Sequence, residues 1–362
     1  MEKVNKSRNR KRGWLIALIV VLALVLAAML TVFLFVNSML NKISRDDTLE
    51  TLSSEELESI QMETDPYDPD FTGPMLDATD VTEPEDPFAE IPTDSDNIIN
   101  ILLVGQDGYG TGPTVRSRSD SMILCTINKS AKTLTMTSFM RDMYVKIPGY
   151  YSQRINVAYA VGGFLATYDT LEYNFGIRPD YGVAVNFETF KDVIDMVGGI
   201  DIELTDAEAR YMNNCTVPHK GVPYNWGLTE GVHHLTGEQA LVYARNRRVG
   251  DDFARTERQR KVIDQLIQKA KTLPLSDLYD MVETLLPLLV TDMSNAEIIK
   301  CAVECAPYLK DLQVISQRIP VEGSYSHVGI NGMRVLLPDL SENHQFLVDT
   351  IGIPVEGEET TE

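Results

Sequence analysis

Basic residues are the minority in this chain of 362: 32 Lys and Arg stand against 53 Asp and Glu, for a formal net charge of −21. Binding nucleic-acid phosphate takes a cationic surface that displaces counterions, so no nucleic-acid partner is expected. Cysteine is also scarce. The four, Cys125, Cys215, Cys301 and Cys305, form neither a CxxC pair nor a zinc-ligand spacing, which argues against a zinc module or a dithiol redox site. His233 and His234 are adjacent and so point in different directions, as surface or loop residues do. There is no internal repeat and no P-loop fingerprint.

What is present is unevenly spread. Residues 1–45 carry a net charge of +7, residues 46–96 carry −18 without a single Lys or Arg, and the tail 356–362 carries −4. Residues 97–355 therefore carry only −6. From Trp14 to Val36 run 23 uncharged, almost wholly apolar residues, enough to cross roughly 30 Å of hydrocarbon as a helix. Lys3, Lys6, Arg8, Arg10, Lys11 and Arg12 precede them, and acidic residues follow Arg45, so the N-terminus is expected in the cytoplasm and the remainder outside the cell. A cleavable signal peptide has a shorter apolar core, of about 7–15 residues, and a small-x-small site, which does not follow Phe35 and Val36 here. Between 46 and 96, Asp, Glu, Thr and Pro dominate with little apolar periodicity, the composition of an extended, self-repelling tether.

The expected organisation is thus a basic cytoplasmic tail over 1–13, a transmembrane helix over 14–36, and a disordered extracellular tether over 37–96. A folded domain over 97–352 and a disordered acidic tail over 353–362 follow. Cys125, inside an apolar run, is expected to be buried. Cys301 and Cys305 fall one helical turn apart, and either could pair with Cys215 in an oxidising exterior.

Within the folded part, Ile98–Val104, Ser121–Asn128 and Leu134–Phe139 read as strands of a largely buried sheet. Ile155–Tyr173 has helical spacing around Gly162 and Gly163, predicting two helices or one broken helix. Tyr181–Phe187 and Ile200–Leu204 read as further strands, flanking a helix over Glu188–Val197 that Gly198 and Gly199 end. Helices are expected over Thr236–Ala244, capped by Thr236, and over Arg255–Lys271. The pattern continues with helices near Leu275–Leu286 and Ser294–Leu309, a strand near Leu312–Ile319 and a helix over Leu340–Ile351. The alternation predicts an α/β fold, a central mixed β-sheet flanked by helices on both faces.

Two features carry chemistry. Asp107 follows one strand, and Arg118, Ser119, Asp120 and Ser121 lead into the next. Acidic groups at adjacent strand ends can share a hard cation such as Mg²⁺, completed by water and substrate phosphates. The second feature is arginine: Arg141 with Asp142 after a strand, Arg154, then an arginine-rich, lysine-free stretch from Arg245 to Arg260 that includes Arg247, Arg255 and Arg258. The guanidinium fork binds phosphate bidentately and stays charged, so this set suits a pyrophosphate whose charge must be neutralised while a P–O bond breaks. The same spacing also permits structural ion pairs, Asp252 with Arg255 and Glu257 with Lys261.

The order of motifs resembles the LytR-CpsA-Psr family of membrane-anchored cell-wall enzymes of Gram-positive bacteria. The matching pieces are Asn100 to Asp107 (NILLVGQD), Arg118 to Ser121 (RSDS), Ser138 to Asp142 (SFMRD), Arg154 to Tyr159 (RINVAY), Leu235 to Arg247 (LTGEQALVYARNR) and Asp252 to Gln259 (DFARTERQ). The resemblance is strong over 97–272, the core of the folded domain, and weaker over its extension, 273–352. It implies a phosphotransferase that moves a glycopolymer, such as teichoic acid or capsular polysaccharide, from an undecaprenyl-pyrophosphate carrier in the lipid bilayer onto the muramic acid hydroxyl of peptidoglycan. By the same resemblance, Asp107 and Asp120 match ligands of Mg²⁺ (or Mn²⁺). Arg118, Arg141, Arg245, Arg247, Arg255 and Gln259 match pyrophosphate-binding positions, with Asp120, Arg141, Arg245 and Arg247 catalytic. A polyprenyl groove is implied between sheet and helices, for which Phe187, Phe190, Val193, Ile194 and Val197 are candidate linings; their helical spacing equally suits a core helix.

The chain departs from the family pattern at Met140, where Pro is usual, at Arg154, where Lys is usual, and at Asn186, often Asp. Asp142 and Asp252 are candidate bases. Two other readings share these residues: a hydrolase in which water replaces the muramic hydroxyl, and a tethered polysaccharide-binding protein without catalysis.

Overall fold

The computed structural model describes residues 34–45, 73–92, 96–106, 117–216, 222–272, 286–305 and 311–351, with single positions at 53, 55, 71, 284, 307 and 308. Two units are distinguished, one up to Ile43 and one from Ser44 onward. Of the first, 34–40 are helical. The span expected over 14–36 lies outside the described residues except for its last three, and among the described residues no helix is long and apolar enough to cross a membrane.

The second unit is a mixed α/β fold. Its strands are β1 (Ser44–Arg45), β2 (Met75–Leu76), β3 (Ile98–Gln106), β4 (Ser119–Asn128), β5 (Thr133–Phe139), β6 (Tyr144–Val145), β7 (Gln153–Arg154), β8 (Tyr181–Val185), β9 (Ile200–Leu204), β10 (Gly231–Leu235), β11 (Val290–Thr291), β12 (Gln313–Ile319), β13 (Tyr325–Ile330) and β14 (Met333–Pro338). The helices are α1 (Val157–Phe175), α2 (Phe187–Met196), α3 (Asp206–Asn214), α4 (Gly237–Ala244), α5 (Asp252–Ala270), α6 (Asn295–Cys305) and α7 (Leu340–Ile351). The central sheet has seven strands in the order β1-β11-β8-β3-β4-β5-β12. Strands β3, β4 and β5 form an antiparallel meander, while β8 joins β3 and β12 joins β5 in parallel.

The runs that read as strands are apolar on both sides because both sheet faces are covered. Leu102 and Val104 of β3, with Met122 and Leu124 of β4, pack against Tyr159, Phe164 and Leu171 of α1 and Leu347 of α7. The alternate residues Ile101 and Leu103, Ile123 and Cys125 face the other way, toward Ile263 and Ile267 of α5. Helix α1 is broken where Gly162 and Gly163 predict it, with Gly163 at φ 61°, a conformation that a Cβ disfavours. The break lets Phe164 lie so close to β8 that a Cβ on Gly182 would come within 2.3 Å of its ring.

The structure corrects or completes the sequence reading at four points. First, the tether does not remain free up to residue 96: β2 pairs with β13, Ile91 is buried in the main core, its N–H donates to the Gly176 carbonyl, and Phe88 packs on His344. Main-chain bonds, a few apolar anchors and the Glu83–Lys146 ion pair at 3.1 Å dock the segment, while its other acidic side chains stay in water. Second, Ile200–Leu204 is not a strand of the central sheet but pairs with β10 in a separate two-stranded sheet. Its solvent-facing Asp201 and Glu203 would not suit a strand covered on both faces. Third, α3 and the hairpin β13–β14 were not anticipated. The hairpin turns at Asn331-Gly332, both with positive φ, the sequence that a type I′ turn requires. Fourth, no disulfide forms among the described cysteines: Cys215 lies 3.7 Å from the Tyr211 hydroxyl, and the sulfurs of Cys301 and Cys305 are 4.0 Å apart. The helix expected over 275–286 falls outside the described residues except for 284 and 286.

Candidate active site

Three local devices bring distant motifs together. The Ser119 N–H donates to the Asn156 carbonyl, and the Asn156 N–H donates to the Arg141 carbonyl, which sets the start of β4 beside the end of β5. Helix α4 begins at a Thr236 capping box, a device that contributes about 1 kcal/mol, and it ends at Arg245. Next, buried Asn246 accepts from the N–H groups of Arg248 and Val249. This turn projects Arg245, Arg247 and Arg248 outward, all three exposed. Arg258, on α5, donates to the carbonyls of Asn246 (2.7 Å) and Val249 (2.8 Å) and meets Glu208 of α3 at 3.2 Å. Sequence reasoning had grouped Arg258 with the phosphate binders, and the structure makes it the strut of their loop. Arg260 likewise is buried and donates to Ser138 on β5.

Asp120 is the carboxylate on which the set converges. Its Oδ1 accepts from Arg141 at 2.7 Å and from Arg247 at 3.2 Å. Arg141 also stands 3.5 Å from Asp142 and 3.8 Å from Asp252, and Arg154 is 3.8 Å from Asp142. Burial works against the Arg141 charge, but Asp142, Asp252 and Asp120 outweigh it and hold the guanidinium above its ordinary range. Arg255 meets Asp252 with two contacts of 2.8 Å. Burial pulls its pKa down to about 10, against the attraction of Asp252, so it stays charged at neutral pH. Burial is also the main reason the Asp252 carboxyl titrates high, although Arg255 opposes it. Arg118 is lowered by burial and by the neighbouring charges of Arg154 and Arg141.

A cavity of about 260 Å³ opens at this cluster and runs between the sheet and helices α2, α4 and α5. One end is polar, with Asp120, Arg245, Arg247, Arg255 and Gln259. The other is apolar, with Leu103 and Ile123, Val183 and Val185, Phe187, Phe190, Val193, Leu241, Ile263 and Leu266. On α5 the transition follows one stripe: Arg255, Gln259, Ile263 and Leu266 recur at helical spacing, charged at the start and apolar further on. At the boundary, the Arg245 guanidinium lies over the Phe187 ring, 3.9 Å from its centroid, within cation–π range.

Of the expected site residues, Asp120, Arg245, Arg247, Arg255 and Gln259 line the cavity, while Arg141 reaches it through Asp120 and Arg118 is not part of the lining. Asp107 lies outside the described residues. Phe187, Phe190 and Val193 line the apolar end, but Ile194 and Val197 do not. Those two are buried in the core between α2, β9, β10 and α4. The sheet's own contribution was missed, because an apolar strand reads alike whether it faces a core or a void. Asp142 and Asp252 do not line the cavity; Asp142 stands 3.5 Å from Arg141 and Asp252 pairs with Arg255. Asn186 caps α2 by accepting from the Thr189 N–H at 2.9 Å, a task that an amide performs as well as a carboxylate.

The structural ion pairs that compete with the phosphate reading form too, Asp252 with Arg255 and Glu257 with Lys261 at 2.9 Å. For Arg255 the two readings coexist, since it is paired and also lines the cavity. As for a cation, no group of three or more His, Cys, Asp and Glu side chains is assembled among the described residues. Mg²⁺ asks for less, one or two carboxylates with water and phosphate completing its shell. Asp120 fits that demand: both arginines take its Oδ1, so a hard cation would be met through Oδ2.

The family model for the LytR_cpsA_psr family matches residues 72–347. The chain is 31% identical over 258 residues to the polyisoprenyl-teichoic acid–peptidoglycan teichoic acid transferase TagT of Bacillus subtilis, covering 70% of this chain and 77% of that protein. It is 32% identical over 233 residues to the transferase TagU of Enterococcus faecalis, covering 63% and 73%. Among solved structures, TagT bound to LIIa-WTA is similar with a TM-score of 0.58 and 28% identity, over 75% of this chain and all of that one. TagT with bound octaprenyl pyrophosphate lipid is similar with a TM-score of 0.53 and 26% identity, again over 75% of this chain and all of that one. By sequence and by fold, the chain belongs to the LytR-CpsA-Psr family.

Proposed function

We propose that the protein is a phosphotransferase that moves a glycopolymer from an undecaprenyl-pyrophosphate carrier to the muramic acid hydroxyl of peptidoglycan. In this reading it is held in the membrane by residues 14–36 and acts on the outer side. The observation that carries the proposal is the two-ended cavity, with arginines and a carboxylate at the mouth and an apolar interior behind them. A polyprenyl pyrophosphate has the same polarity, a doubly phosphorylated head on an apolar chain. The names of the relatives and the octaprenyl pyrophosphate in one solved relative support the donor class.

The chemistry follows from charge. The muramic hydroxyl oxygen bonds to the sugar-side phosphorus while the bridging P–O bond breaks. The electron pair leaves with undecaprenyl phosphate, the hydroxyl proton goes to solvent or a nearby base, and the sugar phosphate stays on the wall as a phosphodiester. Negative charge grows on the bridging and non-bridging oxygens, where Arg245 and Arg247 are placed to meet it. Arg141 fixes Asp120, and Arg255 with Gln259 presents two donors, one turn apart, to the head group. A Mg²⁺ or Mn²⁺ ion held by Asp120, with Asp107, would supply further charge neutralisation when bound. Phe187, Phe190 and Val193 would seat the first isoprene units.

The test supplies the full chain in detergent with a short polyprenyl-pyrophosphate-linked oligosaccharide and follows its consumption with and without Mg²⁺ and peptidoglycan. Consumption that requires both, and that Asp120→Asn and Arg245→Ala abolish, is the expected outcome. Consumption indifferent to peptidoglycan would make the protein a hydrolase, and binding without turnover would make it a tethered polysaccharide-binding module.

A further inference from the structure

Arg245 and Arg247 line a second cavity on their other side. It has a volume of about 580 Å³ and shares only Leu241, Arg245 and Arg247 with the first. We infer that this cleft binds the acceptor glycan strand and delivers its hydroxyl to the phosphorus from the side opposite the lipid. The inference rests on the transfer reading above.

Geometry makes the first argument. In phosphoryl transfer the attacking and leaving oxygens stand roughly in line across the phosphorus. If the lipid phosphate leaves into the apolar cavity, the nucleophile must arrive across the arginine pair. The second cleft is there, and the guanidinium groups that wall it are the ones that would hold the phosphoryl group.

The lining makes the second argument. It is more polar than the lipid cavity, and it combines Tyr211 and Tyr224 with a chain of charged groups. Tyr224 donates to Glu238, Lys191 bridges Glu238 at 3.3 Å and Glu188 at 2.8 Å, and the far face of the Tyr224 ring is stacked on Trp226 at 4.1 Å between centroids. An aromatic ring braced by a second one, beside paired carboxylate and ammonium groups, matches a sugar ring with its apolar C–H face and its rim of hydroxyls. Arg248 adds an exposed positive charge on this side alone, suited to the acidic substituents of a peptide-bearing glycan. A lipid chain would strip water from these polar groups and offer no hydrogen bond in return.

A donor also carries sugars, so the test separates the two sources. Transfer by the full chain is measured while donor and soluble peptidoglycan strands are varied independently, for wild type, Arg248→Ala, Tyr224→Ala and Val242→Trp. Val242 lines the second cleft and not the first, so a bulky side chain there blocks one cavity only. The expected result is an acceptor KM raised about tenfold in Arg248→Ala and Tyr224→Ala, the scale of losing one good contact, with the donor KM within about twofold, and transfer by Val242→Trp that no longer saturates with acceptor. In parallel, binding of the soluble strands alone is titrated, which needs no turnover. Wild type should bind and Val242→Trp should not. A raised donor KM with unchanged acceptor KM would assign the cleft to the donor's sugars and overturn the inference, as would strand binding unaffected by all three variants. Strand binding that Val242→Trp abolishes, in a protein that transfers nothing, would sustain the cleft and defeat the transferase reading instead.

Discussion

The two faces of the central sheet are built from similar residues and end differently. On one, Leu102, Val104, Met122 and Leu124 meet α1 and α7 with aromatic packing that leaves Tyr159 and Phe164 almost wholly buried, their rings edge to face at 5.2 Å. On the other, Leu103, Ile123, Val183 and Val185 meet α2, α4 and α5 across a cavity. The difference lies less in the strands than in what covers them. Helix α1 lands its aromatic side chains directly on the sheet, whereas α5 begins with buried, paired arginines and brings apolar side chains to the sheet only further on. A void left by good packing elsewhere is costly unless it is filled, so the open face reads as a site and the closed one as its support.

That contrast can be broken by substitution. Phe164→Ala, on the closed face, should cost about 3–5 kcal/mol in stability, as large-to-small core changes do, with the activity of the folded fraction unchanged; denaturant titration and specific activity measure the two. Arg258→Ala should cost about 3–5 kcal/mol too, because it strands buried Glu208 and two loop carbonyls, and it should also lower transfer by releasing the loop of Arg245 and Arg247. On the open face, Arg247→Ala should lower kcat for transfer about 10²-fold or more while leaving the melting temperature within a degree or two. Phe190→Ala should raise the KM for the polyprenyl donor about tenfold, with a smaller loss of stability than Phe164→Ala, since its half-buried ring borders the cavity on one side and packs against the Ile194 and Val197 core on the other.

The smallest expected effect is a pH dependence. Burial raises the Asp252 carboxyl above its ordinary value of 3.8, so the native state holds that proton more tightly than the unfolded chain. The stability this contributes is fully present below the unfolded value and is lost as pH rises through the folded one. Asp252→Asn should flatten the stability profile just above pH 3.8. It should also remove a step on the acid limb of kcat, because the protonated carboxyl no longer holds Arg255.

Much of this was legible in the sequence. The strands β3, β4 and β5, the broken α1 at Gly162-Gly163, the Thr236 cap and the convergence of Asp120 with Arg141 and Arg247 follow from runs, caps and motif order. The Asn331-Gly332 pair carries its own hairpin signal. Other features were not legible, for physical reasons. Phe187, Phe190, Val193, Ile194 and Val197 form one periodic stripe, and periodicity cannot say which flank meets a cavity and which a core. Arg255 and Arg258 have the same chemistry and lie on the same helix, yet only the approach of the Asn246–Val249 loop makes one a strut. The docking of residues 73–92 depends on main-chain pairing with β13, which leaves no mark in an acidic, proline-rich segment.

The most direct measurement is photo-crosslinking of the full chain by a polyprenyl pyrophosphate that carries a diazirine on an early isoprene unit. Label on Phe190, Leu241, Ile263 or Leu266, lost in Arg245→Ala and competed by unlabelled polyprenyl pyrophosphate but not by polyprenol, is the result expected. Label on the α1 face, or label indifferent to the pyrophosphate and to Arg245, would contradict the assignment of the cavity to the lipid carrier.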